Sequence, residues 1–518
     1  TYEPVLGYGD QSDMHRTFDC LGIEPIAETQ RTGEASRPVA QYHTSGFKAS
    51  GCYPSSAVLI AAPVVLAYGI ASIASDEPEI LIPLQAFGVF NLVLLTLLVL
   101  AVAAAMRPYP VASVTHAAIV FLLMSDPVST LWFNTLYAEP AALLGAYGAV
   151  AMATVIILGG AASRLQWWLF GASLVALGFS REQFAYLPLA LAALAAPALR
   201  LRSRRKASIV VIVAAIVAAA QMLLTPLRPD YVSPINRVNA YLGVILASSS
   251  DEEATLAHLD LPGRCSAMSG ASWSSRHGEK LETVCPEVLD ISSFAFLKLV
   301  ATEPVTLLRA VSRVLPAVES MVPGGVGISS EGPIRAVSDL PPRAISFVAL
   351  LTKIPSMIFA MVVVTLLVSF PAALTWLLWT VRREPGMATL PAAFAMLIAI
   401  GGYSLATTAF GGGVADAERH YWLGALATLA AVGLLPLVAW QFSRDMLSAR
   451  IAVAVAFGVV MLSAGWLLWT RHEPLAIGAL DKITEDAGGR TLEVSGWALD
   501  PWGVRRVYAT VGGGPQNE

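Results

Sequence analysis

The sequence predicts an all-α protein that crosses a membrane many times. Of its 518 residues, 56% are hydrophobic and only 14% are charged, and the mean hydropathy is +0.64. An ordinary soluble protein has about 25% charged residues. The apolar residues also form blocks long enough to cross a bilayer core, which takes about 20 helical residues each. This composition excludes a conventional soluble enzyme and a disordered chain, and the net charge of −4 gives no indication of a nucleic-acid partner.

Ten apolar blocks are predicted to span the membrane: 80–106, 111–125, 139–161, 165–180, 184–199, 207–227, 356–381, 387–410, 420–441 and 451–470. The chain starts at Thr1 in a segment predicted to be external, so we expect a further helix before it. The expected total is about eleven transmembrane helices.

The orientation follows from the basic connectors, because Lys and Arg next to spans stay on the cytoplasmic side. These connectors contain Arg107, Arg164, Arg200–Lys206, Arg382–Arg383, and Arg444 with Arg450. The resulting organisation is a first external loop (1–79), transmembrane helices (80–227), a large external loop (228–355), transmembrane helices (356–470) and an external C-terminal segment (471–518). The short connectors 126–138, 181–183 and 411–419 are then external as well.

Two further apolar segments are predicted to lie on the outer membrane surface. Ala57–Ala74 is long enough to span, but counting it would place residues 1–53 in the cytoplasm, so we expect an interfacial or re-entrant helix. Phe294–Val318 is predicted to be a surface helix, because charged residues interrupt its apolar pattern at near-helical spacing: Lys298, Arg309 and Arg313.

The remaining external features are a β segment and four cysteines. Thr491–Gly512 alternates apolar and polar residues about a Pro/Gly turn, which predicts the first hairpin of a small β-domain. All four cysteines lie in predicted external segments, where disulfides persist, and proximity favours the pairs Cys20–Cys52 and Cys265–Cys285. No cysteine or histidine spacing indicates a metal site.

Polar residues collect at four places on the predicted outer face. In the first loop, Asp10, Asp13 and Arg16 follow one another at intervals of three, as on one face of a helical turn. A carboxylate desolvated at the apolar boundary can act as a general base, and a capped helix start is the alternative. The next connector carries Asn134 and Tyr137, both able to bind a sugar hydroxyl.

Glu139 begins a long apolar span. Its negative charge would stabilise the N-terminus of that helix, which is one explanation of its position, and a role in binding is the second hypothesis. In the third cluster, Arg181 precedes Glu182 and Gln183. An Arg at an outer helix end needs a partner, either a lipid phosphate or an acid such as Glu182. The fourth cluster contains Glu418, Arg419 and His420, which suit an anionic headgroup or an aromatic membrane belt.

These motifs together resemble a family of bacterial multi-spanning glycosyltransferases of the GT-C architecture. The resemblance covers residues 1–470 and implies sugar transfer from a polyprenyl-phosphate donor to a glycan or lipid-linked acceptor. It implies inversion at the outer face of the inner membrane, with Asp13 or Asp10 as the general base. Arg181, Arg419 and His420 would bind the donor phosphate. Sugar or acceptor contacts would come from Glu139, Asn134, Tyr137, Arg16, Gln183 and Glu418.

No cofactor is predicted. A nucleotide-sugar enzyme needs Gly-rich phosphate loops, and Gly411–Gly413 lacks the preceding strand and the following Lys-Ser/Thr. Some GT-C enzymes use a divalent metal, but no dedicated ligand set is indicated here. The expected partners are the lipid-linked donor, the acceptor and membrane lipids, without nucleic acid.

Two other functions compete with this interpretation. An O-antigen polymerase or ligase would use a diphosphate-linked oligosaccharide and basic residues of the large loop: Arg228, Arg237, Arg264, Arg276 and His277. A transporter is disfavoured, because intramembrane charge is nearly absent and no broken helices recur in two halves. The first loop is essential for a GT-C enzyme, and the large loop is essential for a polymerase or ligase.

Overall fold

The computed structural model describes a mostly helical membrane protein, which confirms the predicted fold class. The described residues are 6–8, 14–26, 41–48, 52–75, 81–159, 162–224, 232–273, 284–318, 326–329, 356–414, 417–443, 477–485 and 492–499. Within them, eight helices are long and apolar enough to cross a membrane, or nine if one bent pair forms a single span. Below, the external end means the end of the bundle that holds Glu139 and Phe179.

The first external loop is folded on this end. Its elements are, in chain order, β1 Leu6–Tyr8, α1 His15–Leu21, β2 Ile23–Pro25, β3 Gln41–Thr44, α2 Ser56–Ser75 and β4 Leu81–Pro83. Strands β2, β3 and β4 form an antiparallel sheet in that order. Helix α1 ends at Gly22, whose φ of +66° is a left-handed conformation that suits glycine. The disulfide Cys20–Cys52 joins α1 to the start of α2, as predicted.

Helix α2 is apolar enough to span, but the chain length restricts where it ends. Its first residue donates a backbone hydrogen bond to Phe179 at the external end (2.9 Å). Only six steps of chain, about 20 Å when extended, separate Ser75 from Leu81 in the external sheet. A bilayer core is about 30 Å thick. This short connection favours the predicted interfacial or re-entrant helix, although α2 is itself one of the eight helices that are long and apolar enough to span.

Six helices in the first membrane half match the predicted blocks: α3 Leu84–Met106, α4 Pro110–Ile119, α6 Glu139–Leu158, α7 Arg164–Gly178, α8 Leu187–Arg200 and α9 Arg204–Leu224. The short helix α5 Pro127–Thr130 lies in the predicted connector 126–138. Helix α4 continues as a π-helical turn over Val120–Met124, and the chain then bends by 66° into Pro127–Phe133. Asp126 stabilises this bend, because its carboxylate accepts a hydrogen bond from the backbone of Val128 (2.8 Å).

Helix α6 lies at the centre of the bundle and packs against α3, α7 and α8. Most of its residues are buried. A Cβ placed on Gly145 would lie 2.6 Å from the backbone nitrogen of Leu177 in α7. Glycine therefore permits the close approach of α6 and α7, a packing mode that membrane helices favour.

The large external loop contains several short helices. They are α10 Val232–Arg237, which continues as a π-helix over Val238–Ile245, then α11 Glu252–His258, α12 Ser293–Thr302 and α13 Pro304–Val314, followed by β5 Val326–Ser329. The disulfide Cys265–Cys285 lies in this loop, as predicted. Antiparallel pairing of β1 with β5 joins the first loop to the large loop.

The prediction of one surface helix over Phe294–Val318 is wrong. The segment is two helices with a break at Glu303, because Pro304 starts α13 and cannot continue α12. The Glu303 carboxylate accepts hydrogen bonds from Thr255 (2.5 Å) and Thr306 (2.8 Å), and it contacts His258 Nδ1 at 2.5 Å. Burial raises the pKa of Glu303, but these hydrogen bonds outweigh burial and hold its pKa below the ordinary value.

The second membrane half contains α14 Ser356–Arg383, α15 Thr389–Thr407, which continues as a π-helix over Thr408–Gly412, and α16 Ala417–Ser443. The predicted span 451–470 lies outside the described residues. Strands β6 Ile477–Glu485 and β7 Leu492–Leu499 form an antiparallel hairpin. The strand that starts near Thr491 is β7, and its described partner β6 precedes it. The expected turn near Pro501 is outside the described residues.

Candidate functional site

The external ends of α6 and α16 and the connector between α7 and α8 meet around one buried carboxylate. Glu139 is the first residue of α6, and its Oε1 accepts a hydrogen bond from Arg181 Nη1 at 2.9 Å. The Nε of Arg419, in the first turn of α16, lies 4.0 Å from the same oxygen. The side chains of Glu139, Arg181 and Arg419 are only 4%, 12% and 5% exposed. Three separate predicted external connectors therefore contribute to one charged cluster.

In the described part of the chain, Arg181 and Arg419 share the Glu139 carboxylate. Guanidinium groups bind the oxygens of carboxylates and phosphates through paired hydrogen bonds, so this cluster offers donors to an anion. Among the described residues, Glu139 Oε2 has no hydrogen-bond partner although it is buried. This oxygen can accept a hydrogen bond from a ligand hydroxyl. The cluster can thus attract an anion and accept a neighbouring donor group.

Aromatic side chains hold Arg419 in place. Its guanidinium carbon lies 5.0 Å from the centre of the Tyr137 ring, within the range of a cation–π contact. Trp132 packs edge-on against Tyr137 and lies 5.6 Å from Trp422, measured between ring centres. Tyr137 was predicted to contact sugar, and the structure places it against a predicted phosphate ligand.

A second set of contacts joins the connector between α7 and α8 to α15 and α16 beside the cluster. Gln183 Nε2 donates hydrogen bonds to the carbonyl oxygen of His420 (2.8 Å) and to Thr407 Oγ1 (3.1 Å). Gln183 Oε1 lies 3.1 Å from His420 Nδ1. Glu182 lies 3.9 Å from Arg16 of the first loop. The predicted partner of Arg181 was Glu182 or a lipid phosphate. In the structure, Arg181 pairs with the carboxylate of Glu139.

The other predicted site residues lie against α3, in the first turn of α16, beside Glu182 or outside the described residues. Asn134 lies against α3, because a Cβ on Gly88 would be 1.9 Å from its Oδ1. Glu418 is half-buried in the first turn of α16. Asp10 and Asp13 lie outside the described residues. Arg16 lies within the described residues, three positions after Asp13. It lies 3.9 Å from Glu182, which follows Arg181 of the cluster in sequence.

An apolar groove runs along the bundle below the cluster. It has a volume of about 490 Å³ and lies between α4, α6, α15 and α16. At the external end its wall includes Leu143 and Leu423, each one helical turn from Glu139 or Arg419. Along α6 it continues to Leu158, a distance of about 22 Å. One polar pair interrupts the wall, His116 Nε2 with the Tyr147 hydroxyl at 2.6 Å.

Sequence reasoning missed this groove and two residues beside His420. Thr407 is a threonine in an apolar helix, and Gly412 is one of three consecutive glycines. A Cβ on Gly412 would lie 2.9 Å from His420 Nε2. Neither residue has a sequence pattern that indicates a site, because their importance depends on which helix lies opposite.

The basic residues of the large loop are dispersed where the structure describes them. Arg264 pairs with Glu287, and both side chains are more than a third exposed. Arg237 is half-buried at the end of α10. Arg228, Arg276 and His277 lie outside the described residues.

Comparison with known proteins gives a family for this architecture. A family described as the YfdI N-terminal transmembrane domain matches residues 1–284, more than half of the chain. The chain belongs to this family. The YfdI domain match includes Glu139, Arg181 and Gln183 and ends before Arg419 and His420. No curated protein and no solved structure matches the chain.

Proposed function

We propose that the protein is a GT-C type glycosyltransferase of the bacterial inner membrane. It transfers a sugar from a polyprenyl-phosphate donor to a glycan or lipid-linked acceptor at the external face, with inversion. The observation that carries this proposal is the position of the Glu139–Arg181–Arg419 cluster one turn above the apolar groove.

A lipid-linked phosphate suits this arrangement for two reasons. Its phosphate is a suitable ligand for Arg181 and Arg419, because guanidinium groups bind phosphate oxygens through paired hydrogen bonds. Its chain fits an apolar groove about 22 Å long. The phosphates of a soluble nucleotide sugar could bind the two arginines, but such a donor has no lipid chain to occupy the groove.

The proposed reaction is a single displacement. The acceptor hydroxyl oxygen attacks the anomeric carbon, and the bond from that carbon to the phosphate oxygen breaks. The bonding electron pair leaves with polyprenyl phosphate, while the hydroxyl proton passes to the carboxylate of Asp13 or Asp10. Arg181 and Arg419 stabilise the charge that develops on the leaving phosphate, a type of contribution worth about 10²–10³ in rate per donor. Glu139 Oε2 accepts a hydrogen bond from a sugar hydroxyl.

The test is transfer in proteoliposomes that contain radiolabelled polyprenyl-phosphate hexoses or pentoses, with release of polyprenyl phosphate as the readout. Asp13→Asn and Asp10→Asn keep the side-chain size but cannot take up the proton. We expect one of them to lose about 10²–10⁴ in turnover while it still binds donor. Arg181→Met should weaken donor binding as well.

Arg264→Ala is the matched control, since it removes an arginine from an exposed pair in the large loop. The proposal expects this variant to retain activity. If both aspartate variants turn over normally and Arg264→Ala is inactive, the polymerase or ligase function replaces the proposed one.

A further inference from the structure

Tyr53 joins the first external loop to the membrane bundle. Its backbone N–H donates a hydrogen bond to the carbonyl oxygen of Arg16 in α1 (3.1 Å). Its hydroxyl lies 2.9 Å from Oε1 of Gln221 in α9, and this contact is buried. The residue before it, Cys52, forms the disulfide with Cys20 of α1. One short segment therefore holds α1 and is itself attached to α9.

The hydrogen bonds of Gln221 fix the orientation of its amide group. A backbone carbonyl can only accept a hydrogen bond, so the group that lies 2.8 Å from the Gly178 oxygen is the NH₂ of Gln221. The amide oxygen Oε1 therefore faces Tyr53, whose hydroxyl donates to it. Gln221 is 1% exposed, and a buried polar group is costly without a partner. These two hydrogen bonds thus restrict the position of Tyr53 relative to α7 and α9.

Helix α1 lies beside the charged cluster that it shares with no covalent link. Thr17 of α1 lines a small cavity together with Tyr137 and Pro140, at the start of α6. Arg16 lies 3.9 Å from Glu182, in the connector between α7 and α8. The position of α1 relative to the Glu139–Arg181–Arg419 cluster therefore depends on how the first loop is attached to the bundle.

Helix α1 also begins directly after one of the two proposed general bases. The backbone N–H groups of Thr17 and Phe18 donate to the carbonyl oxygen of Met14, which is 2% exposed. Successive Cα atoms are about 3.8 Å apart, so a displacement of Met14 displaces Asp13 as well. A misplacement of about 1 Å can cost about 10²-fold in the rate of a reaction.

We propose that Tyr53 and Gln221 are positioning residues, whose hydrogen bond fixes α1 beside the Glu139–Arg181–Arg419 cluster so that the base of the first loop meets the bound donor. This inference rests on the proposed function. Donor binding is assigned to the arginines of the cluster, whereas the position of α1 affects proton transfer from the acceptor. Loss of the hydrogen bond should therefore lower turnover without weakening donor binding.

The first experiment examines α1 without substrate. Hydrogen exchange of the α1 amides is measured by mass spectrometry in nanodiscs for the wild type and for Tyr53→Phe, which removes only the hydroxyl. We expect the α1 amides to exchange about tenfold faster in this variant, while those of α6 are unchanged. Equal exchange of α1 in both proteins would overturn the proposal.

Tyr421→Phe is the matched control. Its hydroxyl is also buried, but it pairs with Thr428 within α16 (3.1 Å). This variant should leave both α1 exchange and turnover as in the wild type. If Tyr421→Phe loosens α1 as much as Tyr53→Phe does, the effect is a general loss of stability and the proposal is wrong.

The second experiment separates turnover from donor binding in the proteoliposome assay. Tyr53→Phe and Gln221→Leu should lower turnover about tenfold or more and leave the affinity for polyprenyl phosphate within about twofold. Gln221→Glu should restore turnover, because its protonated carboxyl group can accept from Tyr53 and donate to Gly178. If Gln221→Glu is as slow as Gln221→Leu, the assigned hydrogen bonds are not the cause.

The double variant Tyr53→Phe/Gln221→Leu separates positioning from folding. It replaces both partners with apolar groups, so neither keeps a buried polar group that has lost the other. We expect its thermal unfolding midpoint to lie closer to the wild type than that of Gln221→Leu, while its turnover stays low. If turnover recovers together with stability, the two residues only stabilise the fold.

The outcomes distinguish this inference from the proposed function. If the wild type transfers no sugar but α1 responds to Tyr53→Phe as expected, the reaction assignment fails and the attachment of α1 stands. If the wild type transfers sugar and Tyr53→Phe loosens α1 without loss of turnover, the positioning role is wrong.

Discussion

The buried carboxylate of Glu139 makes a quantitative prediction about stability. Glu139→Ala would leave Arg181 and Arg419 buried without their shared acid, and removal of one partner from a buried ion pair costs about 3–5 kcal/mol. We expect this loss in the free energy of unfolding. Arg181→Met should cost less, because Glu139 keeps Arg419 at 4.0 Å. The double variant Glu139→Ala/Arg181→Met should cost less than the sum of the two single variants. In the double variant only one arginine of the cluster, Arg419, stays buried without Glu139, whereas Glu139→Ala alone leaves two.

The assay is denaturant unfolding in nanodiscs, followed by tryptophan fluorescence. A thiol-reactive dye is unsuitable, because all four cysteines are disulfide-bonded. Glu24→Ala is the control, since it removes the acid of the more exposed Lys48–Glu24 pair and should cost about 0–1 kcal/mol. The reasoning is refuted if Glu139→Ala costs no more than Glu24→Ala, or if the two site substitutions are additive within about 0.5 kcal/mol.

Three further predictions concern the external loop and the helix packing. Replacing Cys265 and Cys285 with serine removes a constraint worth about 3 kcal/mol in the unfolded chain, and acceptor binding should weaken more than donor binding in a filter assay; equal losses would contradict this. Because the pKa of Glu303 is depressed, its stabilisation is present above its ordinary value of 4.5 and is lost as the pH falls below it. The protection of the loop amides, measured relative to their intrinsic exchange rate at each pH, should therefore fall below about pH 4.5, and Glu303→Gln should abolish this dependence. Gly145→Ala should lower stability by about 1–3 kcal/mol in thermal unfolding by forcing α6 from α7, whereas Gly171→Ala, with open space around its Cβ, should not.

Much of the fold follows from local sequence patterns. The long helices from α3 to α9, without the short α5, match predicted blocks because a membrane span needs a continuous apolar run, which is visible in one segment at a time. The pairs Cys20–Cys52 and Cys265–Cys285 were predictable since each joins cysteines that are close in sequence.

One predicted element was wrong, and the cause is local. Pro304 divides the predicted surface helix because it lacks the backbone N–H that a continuous helix needs. The hairpin predicted about Pro501 lies largely outside the described residues, and the described strand Leu492–Leu499 pairs with the preceding segment Ile477–Glu485.

The sequence by itself determined an all-α membrane protein with polar clusters at one face, including the individual residues Glu139, Arg181 and His420. Only the tertiary structure decided that Arg181 pairs with Glu139, that Gln183 holds His420, and that an apolar groove begins one turn below. Hydrophobicity is a property of each segment, so it can be read locally. Ion pairs, hydrogen bonds and grooves between helices depend on which helix faces which, and residues 42 and 237 positions apart come together only when the bundle packs.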